Sequence, residues 1–253
     1  MTPDAIDHAA GLLADARRNG QRLDALPESC RPATLDDAHA IQEATALRLG
    51  DAIAGWKVGA TPEGGVARGA LLRSRTYASG ARLSAAIVPL LGIEAEIAFR
   101  LDRDLPARER EYDCSEVAAA VTALPAIEIV DSRFRGYPNA PLLDRIADFM
   151  SNGAFIHGMA QPRWRNFDLE TIGVELVVDG QALVRRSGGH VSKDPLLPAV
   201  ALVNDLRRRS GIGAGQIVTT GTYTGLHYAK PGQTVAVTFK DFGSVEVQFG
   251  AAA

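Results

Sequence analysis

The sequence predicts an α+β protein, mainly β, in which a helical N-terminal extension precedes a β-rich body. Three observations carry this. Apolar residues near the N-terminus recur at helical spacing. From about residue 85 onward, short segments alternate apolar and polar residues between turn signals. No internal repeat or low-complexity linker divides the 253 residues, a length that suits one large domain or two small ones. The expected organisation is a helical region with a lid loop over 1–84 and a β-rich body over 85–253, forming one structural unit.

In chain order, residues 4–19 carry an apolar stripe of Ala9, Leu12, Leu13 and Ala16 that stops at Gly20, which predicts a helix. A second helix is expected over 35–49, with Thr34 as N-cap, Asp36 and Asp37 in the first turn and Gly50 at its end. The Gly- and Arg-rich stretch 62–82 has weak periodicity and reads as a mobile loop or lid. Strands are expected at 93–101, 125–134, 153–160, 174–180, 216–223, 234–242 and 244–250, with one helix near 115–123. Asp179-Gly180 marks a hairpin turn. Residues 195–209 predict a helix with Leu197, Val200, Ala201 and Leu206 inward and arginines at its C-terminal end.

Composition excludes several functions. Net charge is −3, and no basic run interleaves with aromatics, so nucleic acid is not an expected partner. Cys30 and Cys114 form no CxxC pattern, which excludes a cysteine zinc site and fits a reducing, cytoplasmic setting. No apolar run approaches the roughly 20 residues of a membrane span. The charged N-terminus does not read as a signal peptide. GxSxG, GxxxxGK[ST] and GxGxxG are all missing.

Four charged residues stand out. In GWKVGAT (55–61), strand alternation sends Trp56 and Val58 to one face and Lys57 to the other, with Gly55 and Gly59 leaving room beside it. In GIEAEIAFRL, Ile93, Ala95, Ile97, Phe99 and Leu101 form an apolar face, and Glu94 and Glu96 share the opposite one. Taken alone, both segments also fit ordinary solvated strand faces. Glu128 is different, because it interrupts the apolar run PAIEIV and needs a partner if buried. Three carboxylates on strands suit a hard cation, Mg²⁺ or Mn²⁺. Asp131 competes as third ligand, although on an ideal strand it faces away from Glu128.

These segments, together with SNGAFIHG (151–158), VALVNDLRRRSGIGAGQ (200–216), TTGTYTG (219–225) and PGQTVAVTF (231–239), occur in the order of a known family. The chain resembles the 2-keto-4-pentenoate hydratases and the related 4-oxalocrotonate decarboxylases of the fumarylacetoacetate hydrolase superfamily. The resemblance implies a rolled, mixed β-sheet body. It implies that Glu94, Glu96 and Glu128 hold Mg²⁺ or Mn²⁺, that Lys57 is catalytic, and that Gly221 and Thr222 meet the substrate carboxylate. It also implies a small 2-keto acid as substrate and a homo-oligomer, a dimer or larger.

One departure concerns the loop after the lysine. Hydratases of this group carry an aspartate there, whereas EGGVARGALLRSRTYASGARL (63–83) has none. Arginines 68, 73 and 75 occupy it instead, either as solvated charges or, for Arg73 and Arg75, as ligands of a distal substrate carboxylate. Decarboxylation, C–C bond hydrolysis and a catalytically degenerate keto-acid-binding protein are the rival readings. No histidine lies between 55 and 95, which argues against hydrolysis, and each of the five is expected to be structural.

Overall fold

Helix α1 (Pro3–Asn19) starts where the Thr2 hydroxyl accepts the Ala5 N–H and Pro3 fills the first turn, and it ends at left-handed Gly20. Helix α2 (Leu35–Leu49) opens with a capping box between Thr34 and Asp37 and ends at Gly50. The two helices pack together around Ala9, Leu13, Ala38 and Ile41, closing a small core with Leu26, Phe134 and Ile146. The computed structural model describes residues 1–251.

The rest is built on strands β1 (Ile53–Ala60), β2 (Val66–Leu72), β3 (Thr76–Ala78), β4 (Ala81–Leu83) and β5 (Gly92–Leu101). Helix α3 (Cys114–Ala118), β6 (Val121–Val130), α4 (Leu142–Ala147), β7 (Asn152–His157), β8 (Gly173–Val178) and β9 (Gln181–Ser187) follow. Helix α5 (Leu196–Leu206), β10 (Ile217–Thr222), β11 (His227–Tyr228), β12 (Thr234–Phe239) and β13 (Gly243–Phe249) complete the chain order. One mixed sheet runs β2-β1-β10-β5-β6-β7-β3, with β11 added alongside β5. A second sheet runs β4-β13-β12-β8-β9. The main core lies between them, where Ile97, Phe99 and Ile127 meet Val235, Val237 and Val247. This is the rolled mixed-sheet architecture with an N-terminal helical extension. No helix among the described residues is long and apolar enough to cross a membrane.

Several expectations shift. The stretch 62–82 is not a mobile lid: only its first residues form a turn, and the remainder supplies β2, β3 and β4. Its pattern was weak because β2 is buried on both faces, which removes alternation. The helical extension therefore ends near Gly50, and residues 53–83 belong to the body sheets rather than to an N-terminal region reaching 84. Strand β6 begins at Val121, inside the expected helix, so α3 stops after five residues. Helix α5 is rotated from its expected stripe: Leu196, Ala199, Leu202, Val203 and Leu206 are buried, while Leu197 is half exposed. The Asp179-Gly180 hairpin forms as expected, with both residues at positive φ.

Candidate active site

Backbone register assembles the site. Strand β1 is parallel to β10, with Lys57 beside Thr219. Strand β10 is antiparallel to β5, and a bulge between Thr219 and Thr222 bends it over Glu96. Strand β5 is antiparallel to β6, with Glu94 directly opposite Glu128. Like charges at such a position repel. The odd-numbered side chains of β5 fill the intersheet core, so Glu94 and Glu96 are forced to the other face. Trp56 and Val58 likewise enter the core and turn Lys57 toward the glutamates. Gly55 is required by close approach, since a Cβ there would lie 2.1 Å from the Ile217 carbonyl oxygen. At Gly59 the space is taken by the Met150 methyl, 3.2 Å from where a Cβ would stand.

One carboxylate oxygen from each of Glu94, Glu96 and Glu128 comes within 4.8 Å of the others. Two of the three carboxylates have a pinned oxygen. Lys57 Nζ donates to Glu128 Oε1 at 2.8 Å and Asn152 Nδ2 donates to the same atom at 3.1 Å. The Thr219 hydroxyl and the Gly221 N–H donate to Glu96 Oε2. Glu128 Oε2 is buried without a partner. A buried acceptor left in that state is expensive unless something binds it. The donor set is therefore three hard carboxylates, two of them held from behind, with one buried bare oxygen, which fits an oxygen-seeking divalent cation.

The electrostatics agree. Burial, then the charges of Glu128 and Glu94, push the Glu96 carboxyl up to about 8. Burial also raises Glu94, with Lys57 opposing and Glu128 adding. Burial by itself would lower the Lys57 ammonium, but Glu128 and Glu94 outweigh it and hold it raised. Lys57 is thus held as an ammonium beside carboxylates that raise one another, so the cluster favours added positive charge.

The cluster opens into a cavity of about 640 Å³. Its walls are largely apolar: Val58, Val66, Met150, Leu197, Pro198 and Ala201. Lys57 is the only cationic side chain lining it among the described residues. Thr220, Gly221 and Thr222 form a polar corner. Gly221 has φ 116°, a conformation that strains any residue with a side chain.

Arg73 and Arg75 do not line this cavity, which corrects the expectation that they meet a substrate carboxylate here. Arg73 borders a depression with Arg100 and His157, and Arg75 borders a cleft with Arg17, Arg22 and Asp131. The physical reason is that β2 runs directly into β3 through a short 3-10 turn, which carries both side chains away from Lys57. Arg68 is no lid charge either: it is buried against Glu43, Asp205 and His39. Asp131 leaves the carboxylate trio, as alternation implied, and accepts from Arg22, Arg133 and the Leu90 N–H.

Comparison with known proteins follows the same geometry. The profile of the fumarylacetoacetate (FAA) hydrolase C-terminal family matches residues 77–249. This chain belongs to the fumarylacetoacetate hydrolase family. A 2-keto-4-pentenoate hydratase from Burkholderia vietnamiensis is 31% identical over 97% of this chain and 98% of its own length. One from Paraburkholderia phymatum is 31% identical over 96% of this chain and 97% of its own. Among solved structures, 4-oxalocrotonate decarboxylase from Pseudomonas putida, complexed with magnesium and adipate, superposes with TM-score 0.86 at 24% identity, covering 98% of each chain. That likeness establishes the fold. For this member of the fumarylacetoacetate hydrolase family, sequence reasoning passed over Asn152 and Thr219. Both lie in quoted segments, SNGAFIHG and TTGTYTG, and the available signal was a polar side chain on a strand neighbouring a carboxylate strand.

Proposed function

We propose that this chain is a divalent-metal-dependent lyase acting on a small 2-keto (enol) acid, adding water to a 2-hydroxydienoate as the 2-keto-4-pentenoate hydratases do. The observation that carries this reading is the cluster of Glu94, Glu96 and Glu128, with Lys57 bonded to Glu128, beside a cavity whose wall is largely apolar outside its Thr220–Thr222 corner. Glu94, Glu96 and Glu128 would hold Mg²⁺ or Mn²⁺, which when bound supplies Lewis acidity to the carbonyl of a 2-keto acid.

The chain's own groups divide the remaining work. Lys57 is an ammonium beside the carboxylates, so it acts as a hydrogen-bond donor and acid toward the oxygen that gains charge as the dienol rearranges. Asn152 and the Met150 carbonyl hold Lys57 and Glu128 in register. The Gly221 and Thr222 corner is the proposed subsite for the substrate carboxylate. Water adds across the terminal double bond, with a proton going to the end carbon and hydroxyl to its neighbour, and Val66, Leu197 and Pro198 give the reacting chain an apolar wall.

The lining favours hydration over decarboxylation. A substrate with a second carboxylate would bury that charge against apolar side chains with no cation besides Lys57 to receive it. The test is the ultraviolet absorbance of 2-hydroxypenta-2,4-dienoate: it is expected to fall on adding enzyme with Mg²⁺ and to stay constant with Glu96→Ala. Metal-dependent CO₂ release from 4-oxalocrotonate without dienoate turnover would replace the hydratase reading with the decarboxylase. The reading includes a cytoplasmic enzyme assembled from copies of this chain. Sedimentation at micromolar concentration checks the assembly, and a purely monomeric species would overturn that part.

A further inference from the structure

A second cluster of charge lies in the cleft between the end of α1 and the segment that follows β6. Arg17, Arg22, Arg75 and Arg133 line it, with Asp131 as the only carboxylate on its wall among the described residues. Asp148 lies behind, fully buried, and takes bonds from Arg17 and Arg133. Arg18 also borders the cleft but is tied to Asp15. Four guanidinium groups therefore share two carboxylates. Arg75 has only a long contact of 3.5 Å to the Ile87 carbonyl. Arg17 is 8% exposed and its Nε has no partner, although it stacks 4.4 Å from the Phe149 ring. Burial and then the Arg133 charge lower the Arg17 guanidinium, so the arginines repel one another across the cleft. Guanidinium groups stay charged at all working pH, so this excess has to be met by an anion.

We propose that the cleft is a binding site for a phosphate-sized oxyanion carrying two negative charges. The charge count sets the valence, because two negative charges equal the excess of four arginines over Asp131 and Asp148. The cleft has about 140 Å³ of solvent-reachable space, which is room for a small tetrahedral oxyanion. Planar guanidinium forks match phosphate oxygens two at a time. Free phosphate and the phosphate group of a monoester share this chemistry, and the cleft is open enough for a monoester tail to leave it.

The site is distinct from the cavity at Lys57 but shares a wall with it. Arg17 and Arg133 both donate to the Asn152 carbonyl oxygen, while the Asn152 side chain donates to Glu128. Phe149, Met150 and Ser151 lie between the two, all three at positive φ. Such a run of non-glycine residues is strained and persists only where its surroundings hold it. Arg17 holds it on one side through Phe149, and Lys57 on the other through the Met150 carbonyl.

The proposal stands independently of the catalytic reading. Its test is calorimetric titration of metal-free protein with inorganic phosphate and, separately, with glycerol 1-phosphate. Saturable one-site binding of either is expected, and the tighter of the two identifies the source. Arg75→Met and Arg22→Met are each expected to weaken it at least roughly tenfold while the circular dichroism spectrum and Mn²⁺ affinity stay unchanged. Lys57→Met is expected to leave it intact. Failure of both anions to bind folded protein would overturn the proposal. So would binding lost in Lys57→Met but kept in Arg75→Met, which would put the anion in the active-site cavity.

Discussion

Lys57 and Arg68 sit on neighbouring strands, with Arg68 paired to Val58 in the register of β1 and β2. Both are buried cations in a segment that sequence reading singled out, and they have opposite surroundings. Arg68 faces two carboxylates that reach water, Glu43 and Asp205, together with His39, and its guanidinium stacks over Trp56. Its charge is met by two carboxylates, both of which reach water. Lys57 faces three carboxylates of which Glu96 and Glu128 are fully buried, and one oxygen has no partner. The first cluster meets its cation with partners that reach water, although Arg68 Nε is left without a hydrogen bond. The second is short of positive charge and opens into a cavity, so it needs a cation from outside. Solvation of the carboxylates, more than ion pairing as such, separates a structural cluster from a functional one here.

The largest effect is expected at the carboxylates and the lysine. Glu96→Gln should lose Mn²⁺ binding by more than the roughly 100-fold seen for changes behind a metal ligand. Lys57→Met should keep the metal and lose about 10²–10⁴-fold in turnover. Calorimetry and the dienoate assay separate the two, and unchanged turnover in Lys57→Met would reduce that residue to structure.

Asn152→Ala comes next. It removes one of the two donors on Glu128 Oε1, and Mn²⁺ affinity is expected to fall about 10–100-fold. The same value as the parent protein would mean that Lys57 alone orients Glu128.

Arg68→Met should instead affect stability alone, by about 2 kcal/mol from charge-assisted hydrogen bonds, with Mn²⁺ affinity unchanged. Urea unfolding reads the first and calorimetry the second. Arg68→Lys is expected to recover little, because three separate partners need the guanidinium fork. A loss of metal affinity in Arg68→Met would join the two clusters and undo the contrast.

A pH dependence is also expected in the Arg68 cluster. Burial, then the Arg68 charge, push His39 down to about 3 from its ordinary 6.5. The unfolded chain then takes up a proton that the folded chain refuses. Stability from neutral His39 is complete above pH 6.5 and is lost as pH falls toward 3. His39→Gln should flatten that slope in unfolding free energy measured between pH 7 and 5. An identical slope in the variant would remove His39 as its cause.

What could be read from the sequence divides along the same line. Alternation in β5 and β1 placed Glu94, Glu96 and Lys57 on faces opposite their apolar neighbours, because one face of each strand feeds the intersheet core. The C-terminal end of α1 at Gly20 and both ends of α2 at Thr34 and Gly50 were legible from chemistry that acts within a turn, while the Thr2 cap of α1 was passed over. The segment 66–72 was not legible, since VARGALL is covered on both faces and its one charge finds partners on α2 and α5. Nor could periodicity set which strand lies beside which. That Glu94 stands opposite Glu128, and Thr219 beside Lys57, is a property of register between distant segments. Arg73 and Arg75 were misjudged for the same reason: nearness to Lys57 along the chain did not become nearness in space.

The parallel pairing of β1 with β10 has a consequence for synthesis. Lys57 meets Thr219, and Glu96 takes its donors from Thr219 and Gly221, so groups separated by more than a hundred residues must meet before the site exists. Contacts of that sequence separation form late and slow the folding of a domain. A nascent chain still lacking β10 carries all three glutamates but not the strand that fixes Glu96. Metal capture is therefore tied to completion of the fold, and a growing chain on the ribosome cannot assemble this site ahead of its last third.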